Sequence, residues 1–284
     1  AGTFSSTCMI LFSTLKSSVF YYPTDYSTGF LIVGDFFRKY AYAVWYTVVI
    51  SWKTDGFRKC KYSLFRTNFF RKDFSSMKAY ERLLSYVKIF TPSNEESTSS
   101  PSSRCQFDLA RLLVEELKGL GISDVTLDDH CYVYAHLPAT EGLEHCKALG
   151  FIAHMDTVSD FCDHAVTPVI TENYDGKELP LGTSGRTLSP EMFSHLTSLA
   201  GRTLITSDGT TILGADDKAG IAEILTALEH ILTEKIPHGP LCVAFTPDEE
   251  IGMGPAHFNV KKFGADYAYT LDGDTEGEIQ YENF

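Results

Sequence analysis

Between Ile221 and Leu271 the chain alternates an amphipathic helix with two short apolar runs, and few architectures accept that order. Ile221, Ile224, Leu225, Leu228, Ile231 and Leu232 recur at helical spacing. Leu241-Cys242-Val243-Ala244-Phe245 and Tyr267-Ala268-Tyr269-Thr270-Leu271 read as buried strands. Strands that are apolar on both faces need helices on both sides, which predicts an α/β fold with a mostly parallel mixed sheet. The pattern extends upstream to Met77. Helices are expected from Met77 to about Phe90 and over 107–120, and strands over 124–127, 132–136 and 149–153. A Ser-rich loop, 91–103, separates the helices. Residues 161–211 are turn-rich, with one helix expected over 190–199 and Ser189 as its N-cap.

Upstream of Met77 the composition changes. Residues 1–76 hold 20 aromatic residues, ten basic and four acidic side chains, and no Glu. Their charge is about +6, which leaves about −19 on 77–284 in a chain of net −13. The segment lacks the layout of a secretory signal, and its longest apolar run, 40–51, is too short to span a bilayer. We expect 1–76 to be a poorly ordered, unrelated extension, with Met77 as the natural start of the domain at 77–284. The acidic balance argues against nucleic-acid or membrane partners. Seven scattered cysteines without a Cys-x-x-Cys pair point to a reducing compartment.

Polar residues gather where apolar runs end. His154-Met155-Asp156-Thr157 follows the run at 149–153; Asp156 can supply the acceptor that a ligand imidazole needs. Gly214-Ala215-Asp216-Asp217-Lys218 opens the helix before Ile221, where one Asp would serve as a cap and a second would repel it unless a cation neutralises both. Thr246-Pro247-Asp248-Glu249-Glu250 follows the strand at 241–245, and Asp272 follows the last strand. Taken singly, each is explained by hydrogen bonding, capping or solvation. Together, one His and several carboxylates at the ligand-binding edge of such a sheet suggest a site for zinc, manganese or cobalt.

These motifs, with Leu213–Glu223, Ile236-Pro237-His238-Gly239 and Tyr281–Phe284, resemble the tripeptide aminopeptidases of the dinuclear zinc peptidase family, which also includes aminoacylases and glutamate carboxypeptidases. The resemblance spans 77–284 and implies a metallo-aminopeptidase that releases the N-terminal residue of tripeptides, using water activated between two Zn2+ (or Co2+ or Mn2+). It implies His154 and Asp272 on one metal, Asp216 as the bridge, Glu250 on the second, Glu249 as general base and Asp156 as the group orienting His154. A cis peptide is implied between Asp216 and Asp217. A cytoplasmic protein, homodimeric at full length, is also implied. The family carries its last ligand His after a smaller inserted domain, and this sequence stops near where that insertion begins. The alternatives are a related amidase or deacylase of the same clan, or an inactive metal-binding fragment.

Overall fold

The structure, a computed structural model, describes residues 77–273 and the backbone of four upstream strands. Those strands, β1 (Ser17–Pro23), β2 (Thr28–Asp35), β3 (Trp45–Lys53) and β4 (Lys61–Thr67), pair as an antiparallel meander. They fall in a different unit from Ser75–Asp272. The expectation for 1–76 otherwise concerns residues outside this description, as does the match at Tyr281–Phe284.

Within Ser75–Asp272 the helices are α1 (Ala79–Tyr86), α2 (Gln106–Gly119), α3 (Ala215–Thr233) and α4 (Val260–Phe263). The central sheet is built from β5 (Asp124–Leu127), β6 (Val133–Leu137), β7 (Leu149–His154), β12 (Leu241–Thr246) and β13 (Tyr267–Thr270), in the order β13-β7-β12-β6-β5. Strands β12 and β13 run parallel to β7, while β6 opposes β12 and β5 opposes β6. The sheet is therefore mixed, and its parallel part is the part that ends at the acidic motifs.

Strand β12 is buried along its whole length, which is why its sequence shows no polar alternation. Val243 and Phe245 face Leu113, Leu117, Ile221, Leu225 and Leu228 from α2 and α3. Cys242 and Ala244 face the other way, with Tyr132, Tyr134 and Phe263. Each such Leu or Ile contributes about 1.5–3 kcal/mol by leaving water. Helix α1 is fixed by charge as well as by packing. The buried Arg82 guanidinium donates to Glu116 on α2 at 2.6 Å and to Glu229 on α3 at 2.7 Å. Tyr86 adds an O–H bond to Glu116 at 2.5 Å.

The turn-rich region holds more pairing than its sequence suggests. Strands β8 (Pro168–Thr171) and β11 (Leu204–Ser207) pair antiparallel, as do the two-residue β9 (Leu179–Pro180) and β10 (Thr187–Leu188). The helix expected over 190–199 is a 3-10 segment at Ser194–Leu199. Ser189 does cap a turn, its Oγ accepting from the Glu191 N–H at 3.2 Å. The first turn has no packing to hold it, Met192 being 77% exposed; the ordered part is the stretch in which Leu196 is buried with Tyr174 and Leu179.

Candidate functional site

Because β7, β12 and β13 are parallel, their carboxyl ends share one edge of the sheet. His154 is the last residue of β7 and lies in register with Thr246, the last of β12. Glu249 and Glu250 follow in a single 3-10 turn, and Asp272 lies two residues beyond β13. Asp216 and Asp217 reach the same edge at the start of α3.

The two aspartates divide the roles the sequence offered them. Neither has helical backbone angles, and the peptide between them is cis. Asp217 is buried; its carboxylate accepts the N–H of Gly220 at 3.2 Å, a helix-capping bond, and the N–H of His154 at 3.1 Å. Asp216 is free of that duty, and its Oδ1 stands 3.0 Å from His154 Nε2. Gly220 permits this closeness: a Cβ there would lie 2.2 Å from the Leu271 carbonyl oxygen and 2.4 Å from Asp217 Oδ1. Helix α3 can thus press against the end of β13.

His154 is 2% exposed. Its Nδ1 donates to the backbone carbonyl of Asp156 at 3.0 Å, and the Asp156 carboxylate lies 3.4 Å away. That leaves Nε2 facing Asp216, with Glu249 and Asp272 each at 3.8 Å. Asp156, fully buried, has a second task that its sequence position did not suggest. Its two oxygens accept the N–H groups of Glu249 and Glu250, at 3.0 and 3.2 Å. One carboxylate therefore ties the loop after β7 to the loop after β12.

The electrostatics are those of an uncompensated acidic cluster. Burial opposes the imidazolium of His154, but the carboxylates of Asp156, Asp217 and Asp272 outweigh it and raise the pKa to about 10. Burial pushes Asp217 up to about 8 against the pull of His154. Desolvation, with neighbouring carboxylates, also raises Glu249, Glu250 and Asp272. The nearby Lys218 does not neutralise the cluster; its Nζ donates to the Ile89 carbonyl at 2.7 Å, and burial lowers its pKa to about 8.

Two sets of donor atoms lie within 4.8 Å of one another: His154, Asp216 and Glu250, and His154, Asp217 and Asp272. An imidazole with carboxylates and no paired Lys or Arg among the described residues is a donor set that fits borderline divalent cations. All six site residues expected from the sequence lie at this edge. Asp217 and Asp248 were not among them, because a cap and a solvated loop explain such residues equally well in sequence.

Residues 208–280 match the profile of Peptidase family M20/M25/M40. The chain is 53% identical over 207 residues to Peptidase T of Alkaliphilus oremlandii, covering 72% of this chain and 51% of that protein. It is 52% identical over 209 residues to Peptidase T of Bacillus licheniformis, with 73% and 51% covered. The chain thus spans about half the length of these relatives. Among solved structures, the aminopeptidase PepT of Bacillus cereus superposes with a TM-score of 0.50 at 25% identity, covering 70% of this chain and 43% of that one.

Proposed function

We propose, from the premise that residues 208–280 carry a Peptidase family M20/M25/M40 sequence, that this chain supplies the catalytic half of a metallo-aminopeptidase acting on tripeptides. One observation carries the proposal: His154, Asp216, Glu249, Glu250 and Asp272 converge at the carboxyl edge of three parallel strands. In this reading His154 and Asp272 would hold one divalent cation, Glu250 would hold a second, and Asp216 would serve both. Zinc is the first choice, with cobalt or manganese as substitutes. Bound there, the cations would polarise the scissile carbonyl and acidify water.

The remaining chemistry falls to the chain's own groups. Glu249 is the base: it takes one proton from the attacking water as the oxygen bonds to the carbonyl carbon. When the C–N bond breaks, it returns that proton to the departing amine. Asp156 keeps His154 in the orientation that presents Nε2, and by holding two loop amides it keeps Glu249 and Glu250 facing inward. We place the protein in the cytoplasm. The five described cysteines are free, and no described helix is long and apolar enough to cross a membrane.

This chain spans about half the length of the relatives it matches, and the resemblance implies a further ligand His and a substrate-positioning insertion in the remainder. The 284 residues alone should bind metal yet turn over tripeptides slowly. The test assays this chain and a version extended to the length of its relatives, each with added zinc or cobalt. Hydrolysis by the longer protein and little by the shorter is expected; equal rates would overturn the division of the site, and no hydrolysis by either would overturn the activity.

A further inference from the structure

Asp248 has no part in the chemistry above, yet it is 2% exposed and lies directly before Glu249. A carboxylate so buried needs partners, and here all of them come from another segment. Its Oδ2 accepts the backbone N–H of Ser102 at 2.7 Å. Its Oδ1 accepts the Ser102 hydroxyl at 2.5 Å and the Gln106 side-chain amide at 2.7 Å. The Gln106 carbonyl oxygen accepts the Asp248 N–H in return, at 3.3 Å. The backbone of Asp248 is left-handed, with φ 57°, a conformation uncommon for side-chain-bearing residues but one that aspartate adopts more readily than most.

The segment that grips Asp248 is itself tied to the histidine side of the site. The Ser93 N–H donates to the Thr157 carbonyl at 3.0 Å, and the Thr157 N–H donates to the Thr91 carbonyl at 3.1 Å. The loop at 91–103 thus joins the Asp156–Thr157 turn to the start of the Glu249–Glu250 turn. On one side Asp156 fixes the two glutamate amides; on the other, Ser102 and Gln106 fix the residue before them.

We propose that Asp248 is a positioning residue, clasped by Ser102 and Gln106 so that Glu249 and Glu250 are presented to the site in one fixed orientation. The effect on metal binding rests on the reading of Glu250 as a ligand; the effect on backbone order does not. A residue supporting a ligand in this manner is worth on the order of 10- to 100-fold in metal affinity.

The experiment uses the 284-residue chain in three forms: unaltered, Asp248→Asn, and Asp248→Asn with Gln106→Glu, which restores the contact with donor and acceptor exchanged. Cobalt chloride is titrated by visible absorbance, and amide hydrogen exchange is followed at Glu249 and Glu250. The Met155 amide, bonded to the Thr246 carbonyl at 2.8 Å, serves as the control for general loosening. Expected are cobalt affinity about tenfold weaker and exchange at Glu249 and Glu250 about tenfold faster in Asp248→Asn, with Met155 unchanged and the double variant recovering both. Exchange that rises equally at Met155, or does not rise at all, would overturn the proposal. If the unaltered chain binds no cobalt, the metal reading fails, and the exchange data alone decide on the clasp. Should Asp248→Asn not fold, Ser102→Ala removes one donor with a smaller disturbance and is judged by the same two criteria.

Discussion

At the scale of single residues, the site is a contrast between groups with duties in the fold and groups without them. Asp217, Asp156 and Asp248 have their carboxylates committed to backbone N–H groups, whereas Asp216, Glu249, Glu250 and Asp272 have theirs directed toward His154 or its surroundings. The proposed division of labour makes Glu249 the residue whose loss is felt in rate rather than in binding. In the full-length protein, Glu249→Gln should lower kcat by about 10²–10⁴-fold, with KM and cobalt affinity little changed. Steady-state kinetics on a tripeptide, beside a cobalt titration, checks both. A matching loss of cobalt affinity would make Glu249 a ligand instead. The stretches that hold the six expected positions stood out in sequence as polar residues after an apolar run or at the start of a helix, and the family resemblance implied which members of each stretch would act. Asp217 and Asp248 belong to the same stretches, and what distinguishes them, burial among partners contributed by distant segments, is not written in the local sequence.

At the scale of elements, the long apolar runs announced themselves and the short half-buried ones did not. Strand β12 and the hydrophobic stripe of α3 are continuous or periodic enough to identify, and both appear within a residue or two of where they were expected apart from the first turn of α3. The pairing of β8 with β11 was hidden, since neither strand is well buried or alternates clearly. The direction of β5 and β6 was also beyond reach, because periodicity reports which face is buried and says nothing of strand polarity. Two predictions belong here. Gly220→Ala forces α3 away from Leu271 and should displace Asp217 and Asp272 together, weakening cobalt binding while costing about 1–3 kcal/mol in urea unfolding. Tyr86, buried and bonded to Glu116, has its pKa raised above the ordinary value near 10. The folded state therefore keeps that proton longer than the unfolded chain does. Its contribution to stability is complete below about pH 10 and is lost as pH rises beyond it. In Tyr86→Phe the loss of stability above pH 10, followed by urea midpoints, should be shallower.

At the scale of the whole molecule, the sheet order β13-β7-β12-β6-β5 has a consequence for the order in which the chain is made. Strand β7 leaves the ribosome early, but both of its neighbours are synthesised long afterwards, one beginning at Leu241 and the other at Tyr267. Until then an apolar strand waits with two open edges, a template for pairing with other nascent chains. A chain ended at Pro240 should accordingly pellet on expression, whereas one ended at Asp272 should stay in the supernatant; sedimentation of lysates distinguishes the two. On the proposed metal reading the same timing would govern metal capture: His154 emerges well before Asp216 and Glu250, so a divalent ion held by those three groups would come too late to template the early steps.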